Sequence, residues 1–148
     1  MNMYARINLS KTNYEIAPFY KRIGNPNPKI LESIYNAYCV HKKFKSVMPI
    51  FNEEYYDEKN NVLGYYDKDI LVAFSLIRCY NNKNAEAVQF AWDYKKPRLQ
   101  LGIKSLQNEC ALYKKRGFEY LYLGEADPYK TKIDGFEILG PRTGELFK

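Results

Sequence analysis

Apolar and polar positions change rhythm several times along this chain, and the changes mark its elements. Residues 3–9 alternate, with Tyr4, Arg6 and Asn8 set against Ala5, Ile7 and Leu9, which is the period-two pattern of a strand. Residues 10–28 carry Gly24 together with Pro18, Pro26 and Pro28. A proline forces extended backbone on the residue before it, so this stretch reads as a loop. Asn27 and Pro28 suit the cap and first position of a helix. Over residues 29–44 the period becomes helical: Ile30, Ile34, Ala37, Tyr38 and His41 share one side, flanked by Leu31 and Tyr35. Lys42, Lys43 and Lys45 gather where the negative pole of the helix dipole falls.

Residues 46–61 are polar and acidic around the run NEEYYDEKNN. An irregular connection of this kind reads as a lid or a short helix. Strands follow over 62–66 and 70–79, joined by Asp67-Lys68-Asp69, and a third over 85–92 comes after a turn at 81–84. Together they predict an antiparallel meander. A loop from residue 95 leads into a helix over 99–116, in which Leu99, Ile103, Leu106, Cys110 and Tyr113 recur every three or four places. Gly117 ends that helix where left-handed backbone is needed. A buried strand over 118–123, a short turn at 129–133 and a last strand at 136–139 complete the order. The expectation is a single α+β domain over residues 1–148. Its mixed sheet is mostly antiparallel, with flanking helices.

The strand, loop, helix and strand between Ala85 and Leu123 form the unit on which a site depends. Such a unit connects parallel neighbours and aims the amides of its helix start at whatever lies in front. Arg98 and Lys104 flank Gly102 with positive charge, so the segment Leu101, Gly102, Ile103, Lys104 and Ser105 is a candidate for holding a phosphate. The plain structural alternative is a glycine that lets helix and strand pack closely.

Composition adds limits. At 148 residues the chain can bury a core without disulfides or metal. With 46% hydrophobic and 27% charged residues it is ordinary for a globular protein; 15 tyrosines are its outlier, and Asn and Lys are also frequent. A formal charge of +6 permits contact with phosphates, and a lysine-rich solvated surface accounts for it equally well. Cys39, Cys79 and Cys110 stand far apart and without a histidine cluster, so zinc and iron–sulfur sites have no support and no metal is expected. Their odd number fits a reducing compartment; residues 1–18 hold no apolar core long enough for a signal peptide, so none is expected, and no apolar run reaches membrane length. The expected location is the cytoplasm.

The order of elements resembles the GNAT acyltransferase fold, a mostly antiparallel sheet with a splayed pair of parallel strands. Local sequence is similar to the C-terminal domain of arginyl-tRNA–protein transferases. LQLGIKSLQNE (residues 99–109) resembles that family's serine-leucine-glycine helix start, with Gln100 in the serine's place. Tyr120 to Gly124 resembles its tyrosine-leucine-glycine strand end, and Tyr129-Lys130, Ile133 and Glu137 follow its later spacing. The matches cover about a third of the chain. The family's cysteine-rich N-terminal region has no counterpart here. The acetyl-CoA signature, Arg/Gln-x-x-Gly-x-Gly/Ala, is imperfect here: Gly102 can stand as its first glycine, but Lys104 then falls where a small residue belongs.

The resemblance implies an N-acyltransferase or aminoacyl-transferase that moves a group from acyl-CoA or a charged tRNA to an amine, on a small molecule or a protein N-terminus. Either donor is a cosubstrate, and no tightly bound cofactor is expected. Tyr129 would protonate the leaving group, since a phenol can donate to a departing thiolate or sugar oxygen. Glu86 or Glu125 would take the amine proton, while Trp92, Asp127 and Lys130 would contact substrate. Asp93 belongs to the same acidic set. The structural alternatives are a core tryptophan, solvated acids and one more tyrosine among many. His41 has no nucleophile in register for a triad. The competing class is a GNAT-fold module without catalysis that binds nucleic acid or protein through its basic surface. No membrane partner is implied, and a homodimer is left open.

Overall fold

The computed structural model describes residues 3–43, 60–93, 95–125 and 128–141, with side chains except at 3, 124, 125, 128, 129, 140 and 141. The lid expected over residues 46–61 lies outside this set apart from 60 and 61, which open a strand. The elements run β1 (Met3–Asn8), β2 (Tyr20–Ile23), α1 (Pro28–Lys42), β3 (Asn60–Asp67), β4 (Ile70–Cys79), β5 (Asn84–Trp92), α2 (Leu101–Lys115), β6 (Tyr120–Glu125) and β7 (Phe136–Pro141). One seven-stranded sheet has the order β2-β3-β4-β5-β6-β1-β7. Every neighbouring pair is antiparallel except β5 and β6, which run parallel.

Helices cover both faces. Leu31, Ile34, Tyr35 and Cys39 of α1 pack on Val62, Phe74, Leu76 and Ala91. Leu101, Leu106, Cys110 and Tyr113 of α2 pack on the other face, against Leu63, Ala73, Ile77, Leu121 and Ile7. Asn27 caps α1 by accepting from the Lys29 amide at 3.0 Å, with Pro28 in the first turn, and Gly117 takes the left-handed conformation at φ 88°.

Three readings need correction. The buried side of α1 is Leu31, Ile34, Tyr35 and Cys39, while Ile30 is 49% exposed and His41 lies in solvent. The apolar stripe is turned by about one residue, because Leu31 and Tyr35 meet the sheet that Ile30 was expected to meet. A short strand, β2, also lies inside the stretch read as loop, pairing Tyr20 with Tyr65 and Ile23 with Val62. The helix expected from residue 99 begins at Leu101, because Pro97–Leu99 forms a separate 3-10 turn and Gln100 has a φ of 50°.

Candidate functional site: the cleft between the diverging parallel strands

β5 and β6 part almost as soon as they meet. Their pairing covers Asn84 with Tyr120, Ala85 with Leu121 and Glu86 with Tyr122, and stops there. The cause lies in β5. Opposite β4, Ile77 pairs with Ala87 and Leu76 with Gln89, so Val88 is an extra residue. A bulge of this kind bends its strand and re-aims the side chains beyond it. Before the bulge Ala85 and Ala87 face α2; beyond it Phe90 and Trp92 do. Val88 instead packs with the α1 cluster.

The opening holds a cleft in two parts. An outer part of about 460 Å³ is lined by Tyr38, Lys42, Phe90, Trp92, Gln100, Gly102, Ile103 and Lys132 among others. An inner part of about 150 Å³ is lined by Gln89, Gly102, Ser105, Glu109, Leu123 and Lys130, among others. Tyr38, Phe90 and Gly102 border both. Tyr38 reaches through the gap to pack against the core on each face, and meets Phe90 edge-on at 6.1 Å.

The start of α2 faces this cleft. The first amides of a helix have no acceptor inside it. Gln100 makes no side-chain cap, and Lys104 is the first residue whose amide bonds back, to the Gln100 carbonyl at 3.1 Å. The amides of Leu101, Gly102 and Ile103 therefore carry the positive end of the helix dipole without an acceptor among the described residues. The expected set of Leu101 to Ser105 shortens: the Lys104 amide is engaged, and the Ser105 hydroxyl, 2% exposed, donates to the Gly102 carbonyl at 3.1 Å. Lys104 and Arg98 are exposed, and neither borders either part of the cleft.

Of the other expected residues, Trp92 lines the outer part while remaining 5% exposed, and Lys130 lines the inner part, with Nζ 3.3 Å from the Leu123 carbonyl. Glu86 does not face the cleft. It sits where β5 and β6 are still paired, and accepts from the Tyr80 hydroxyl at 2.5 Å. Its register partner Tyr122 points to Arg6, on the face away from α2. Asp93 lies beside exposed Lys95, outside the cleft. The backbone of Glu125 pairs with Tyr4, and that of Tyr129 lies in the 3-10 turn Pro128–Lys132. Their side chains, and all of Asp127, lie outside the described residues. Among the described residues no cluster of His, Cys, Asp or Glu is placed to hold a metal, and no helix is long and apolar enough to cross a membrane.

Glu109 escaped the sequence reading as a site residue. It is 3% exposed, and its Oε2 accepts from the Tyr65 hydroxyl at 2.6 Å and the Ser75 hydroxyl at 2.7 Å. Burial pushes its carboxyl up to about 7, opposed by the Tyr65 and Ser75 hydrogen bonds and by the charge of Lys130. Asn108 steadies the network by donating to the Tyr65 oxygen at 3.2 Å. A signal was available: Glu109 stands three places after Leu106 and four before Tyr113, on the apolar stripe itself.

This sheet, with its one splayed parallel pair and a helix on each face, is the GNAT acyltransferase fold. Solved structures similar to it include a protein from Novosphingobium aromaticivorans described as a GNAT-family acetyltransferase. That match has a TM-score of 0.62 at 15% identity, over 92% of this chain and 59% of the other. L-PGS from Bacillus licheniformis matches with a TM-score of 0.58 at 16% identity, over 84% and 46% of the two chains. N-myristoyltransferase of Saccharomyces cerevisiae, solved with bound myristoyl-CoA, has a TM-score of 0.56 at 10% identity, over 84% and 40%. The chain thus spans about half the length of these proteins. No curated protein matches the sequence. Residues 19–132 match the arginine-tRNA-protein transferase C-terminus family, and the chain belongs to it.

Proposed function

We propose that the chain transfers an aminoacyl group from a charged tRNA to an amine. The observation that carries this reading is the cleft between β5 and β6, with Gly102 and Ile103, whose amides have no acceptor among the described residues, in its wall. A carrier with a phosphate-bearing end can lie along such a cleft, its negative charge at the helix start and its carbonyl among the strands. Membership of the arginine-tRNA-protein transferase C-terminus family favours a tRNA donor over acyl-CoA. Lys104 does not separate the two donors, since it borders neither part of the cleft and can act on a phosphate there only at long range. The acyl-CoA bound to the yeast N-myristoyltransferase keeps that donor as the nearest competitor.

In the proposed reaction the amine nitrogen attacks the ester carbonyl carbon, and backbone N–H groups of the cleft hold the developing oxyanion. The bond to the carrier oxygen then breaks. Tyr129, in the turn that follows β6, is proposed to return a proton to that oxygen. Lys130 and Trp92 are proposed to position the substrate from the inner and outer walls.

The test is a binding and transfer comparison. Charged tRNA is expected to raise the melting temperature by several degrees and to lose affinity steeply with salt. Label is expected to move from that tRNA to an amine-bearing peptide. A shift with acetyl-CoA alone would reassign the donor to acyl-CoA. No transfer from any donor, with RNA binding retained, would leave a GNAT-fold binding module in place of the enzyme.

A further inference from the structure

The reaction set out above releases a proton from the attacking amine, and Glu86, the acid expected to receive it on β5, is turned away from the cleft. We propose that Glu109, reaching the inner end of the cleft from the third turn of α2, is the group that accepts this proton. The proposal rests on the transferase reading and assigns one step within it.

Glu109 is held by one oxygen only. Both hydroxyls, from Tyr65 on β3 and Ser75 on β4, donate to Oε2. Oε1 has no hydrogen-bond partner among the described residues, and the residue borders the inner cavity of about 150 Å³. The carboxylate is thus fixed in orientation, with one acceptor left for something that enters. The cavity wall at that point is made by Gln89 and Phe90 just past the bulge, by Gly102 at the helix start and by Leu123 on β6. The acid and the donor-binding amides therefore belong to the same helix and open into the same space.

The surroundings suit a group that both takes and returns a proton. Lys130 faces Glu109 from the turn after β6 and favours its charged form; Tyr20 of β2, Tyr65 of β3, and Cys110 and Tyr113 of α2 also feel it. Burial raises the phenols of Tyr65 and Tyr113 and the thiol of Cys110, so these stay neutral. Glu109 itself titrates near 7, where a proton acceptor works at neutral pH. In the step, the amine nitrogen bonds to the carbonyl carbon and loses one proton to Oε1. When the carbon–oxygen bond to the carrier breaks, the leaving oxygen gains a proton from the donor on its own side. The proton on Glu109 then passes to solvent and the leaving-side donor regains one from solvent, so both groups end as they began.

The experiment is the pH profile of single-turnover transfer for the unsubstituted chain, Glu109→Gln, Ser75→Ala and Tyr65→Phe, with donor binding measured alongside. In the unsubstituted chain the rate is expected to rise through an acidic limb near 7. Glu109→Gln is expected to bind donor normally, to lose about 10²–10⁴-fold in rate and to lose the limb. Ser75→Ala and Tyr65→Phe each remove a donor to the charged form, so their limb moves to higher pH while the plateau survives. A purely structural Glu109 would change stability and leave the limb in place. Should Glu109→Gln fail to fold, the limb of the other two variants decides, and an unmoved limb overturns the proposal. Transfer by the unsubstituted chain with all profiles unchanged overturns this inference and leaves the transferase reading standing. No transfer by the unsubstituted chain removes both.

Discussion

Glu109 gives the fold a pH dependence separate from any chemistry. Its carboxyl titrates at about 7 in the folded chain against 4.5 when free, so between those values the folded state holds a proton that the unfolded state has released. Stability must then fall as pH rises through this window. A shift of this size corresponds to on the order of 3 kcal/mol. Urea midpoints at pH 5 and pH 8 are expected to drop with pH in the unsubstituted chain. In Glu109→Gln the drop should be much smaller, and equal slopes would show that the group is charged in the core throughout. Gly135 is a second residue whose identity is dictated locally. Its φ is 79°, and a Cβ there would lie 2.4 Å from the Asn8 carbonyl oxygen, while its own carbonyl accepts from the Asn8 amide at 2.8 Å. Gly135→Ala is expected to cost about 2–3 kcal/mol in equilibrium unfolding, from left-handed strain and backbone clash together. Glu109 shows the limit of reading chemistry from sequence: the stripe marks it as buried, but nothing in the stripe says that Tyr65 and Ser75, from other strands, converge on it.

At the scale of the element, α2 makes two demands on one residue. Lys104 is exposed in the first turn, where a positive charge opposes the helix dipole and would attract a donor phosphate. Lys104→Glu is therefore expected to raise stability by about 0.3–1 kcal/mol and to weaken donor binding about tenfold at low salt, with less effect at high salt. Opposite signs in unfolding and binding experiments would show that this exposed charge, outside both parts of the cleft, draws the donor in at long range; unchanged binding would leave it an ordinary surface lysine. Elements with strong local signals were legible: β4 over Ile70–Cys79, the Asn27-Pro28 helix start and the Gly117 stop all stand where the pattern puts them. β2 was not, because Tyr20-Lys-Arg-Ile is short, follows Pro18 and alternates only weakly. The α1 face was turned because Ile30 and Leu31 are equally apolar, and only the sheet below selects between them. The Val88 bulge, which sets the whole cleft, leaves no local mark, since β5 reads as an unbroken strand.

The whole molecule is two sheet halves sharing a short seam. β1 lies between β6 and β7, so the chain's first strand completes the half formed by its last ones. No local pattern encodes that insertion, although the antiparallel meander and the parallel crossover were both readable. The meander β2-β3-β4-β5 is paired along long registers, with Asn60 through Asp67 matched to β4, whereas β5 and β6 share just the positions from Asn84 to Glu86. The opening that makes the cleft thus comes at the expense of the bond between the halves, and α2, which packs on strands of both, has to bridge them. Amide exchange is expected to follow this division: slowest in β3, β4 and the paired start of β5, faster as a group in β6, β1 and β7. Ala85 is fully buried at the seam, opposite Leu121. Ala85→Leu forces extra volume into that joint and is expected to cost about 1–3 kcal/mol. If the halves are joined mainly there, the lost protection appears in β6, β1 and β7 while β3 and β4 keep theirs. An equal loss in all strands would mean that α2 welds the sheet into one cooperative unit, and that the cleft opens within a single body.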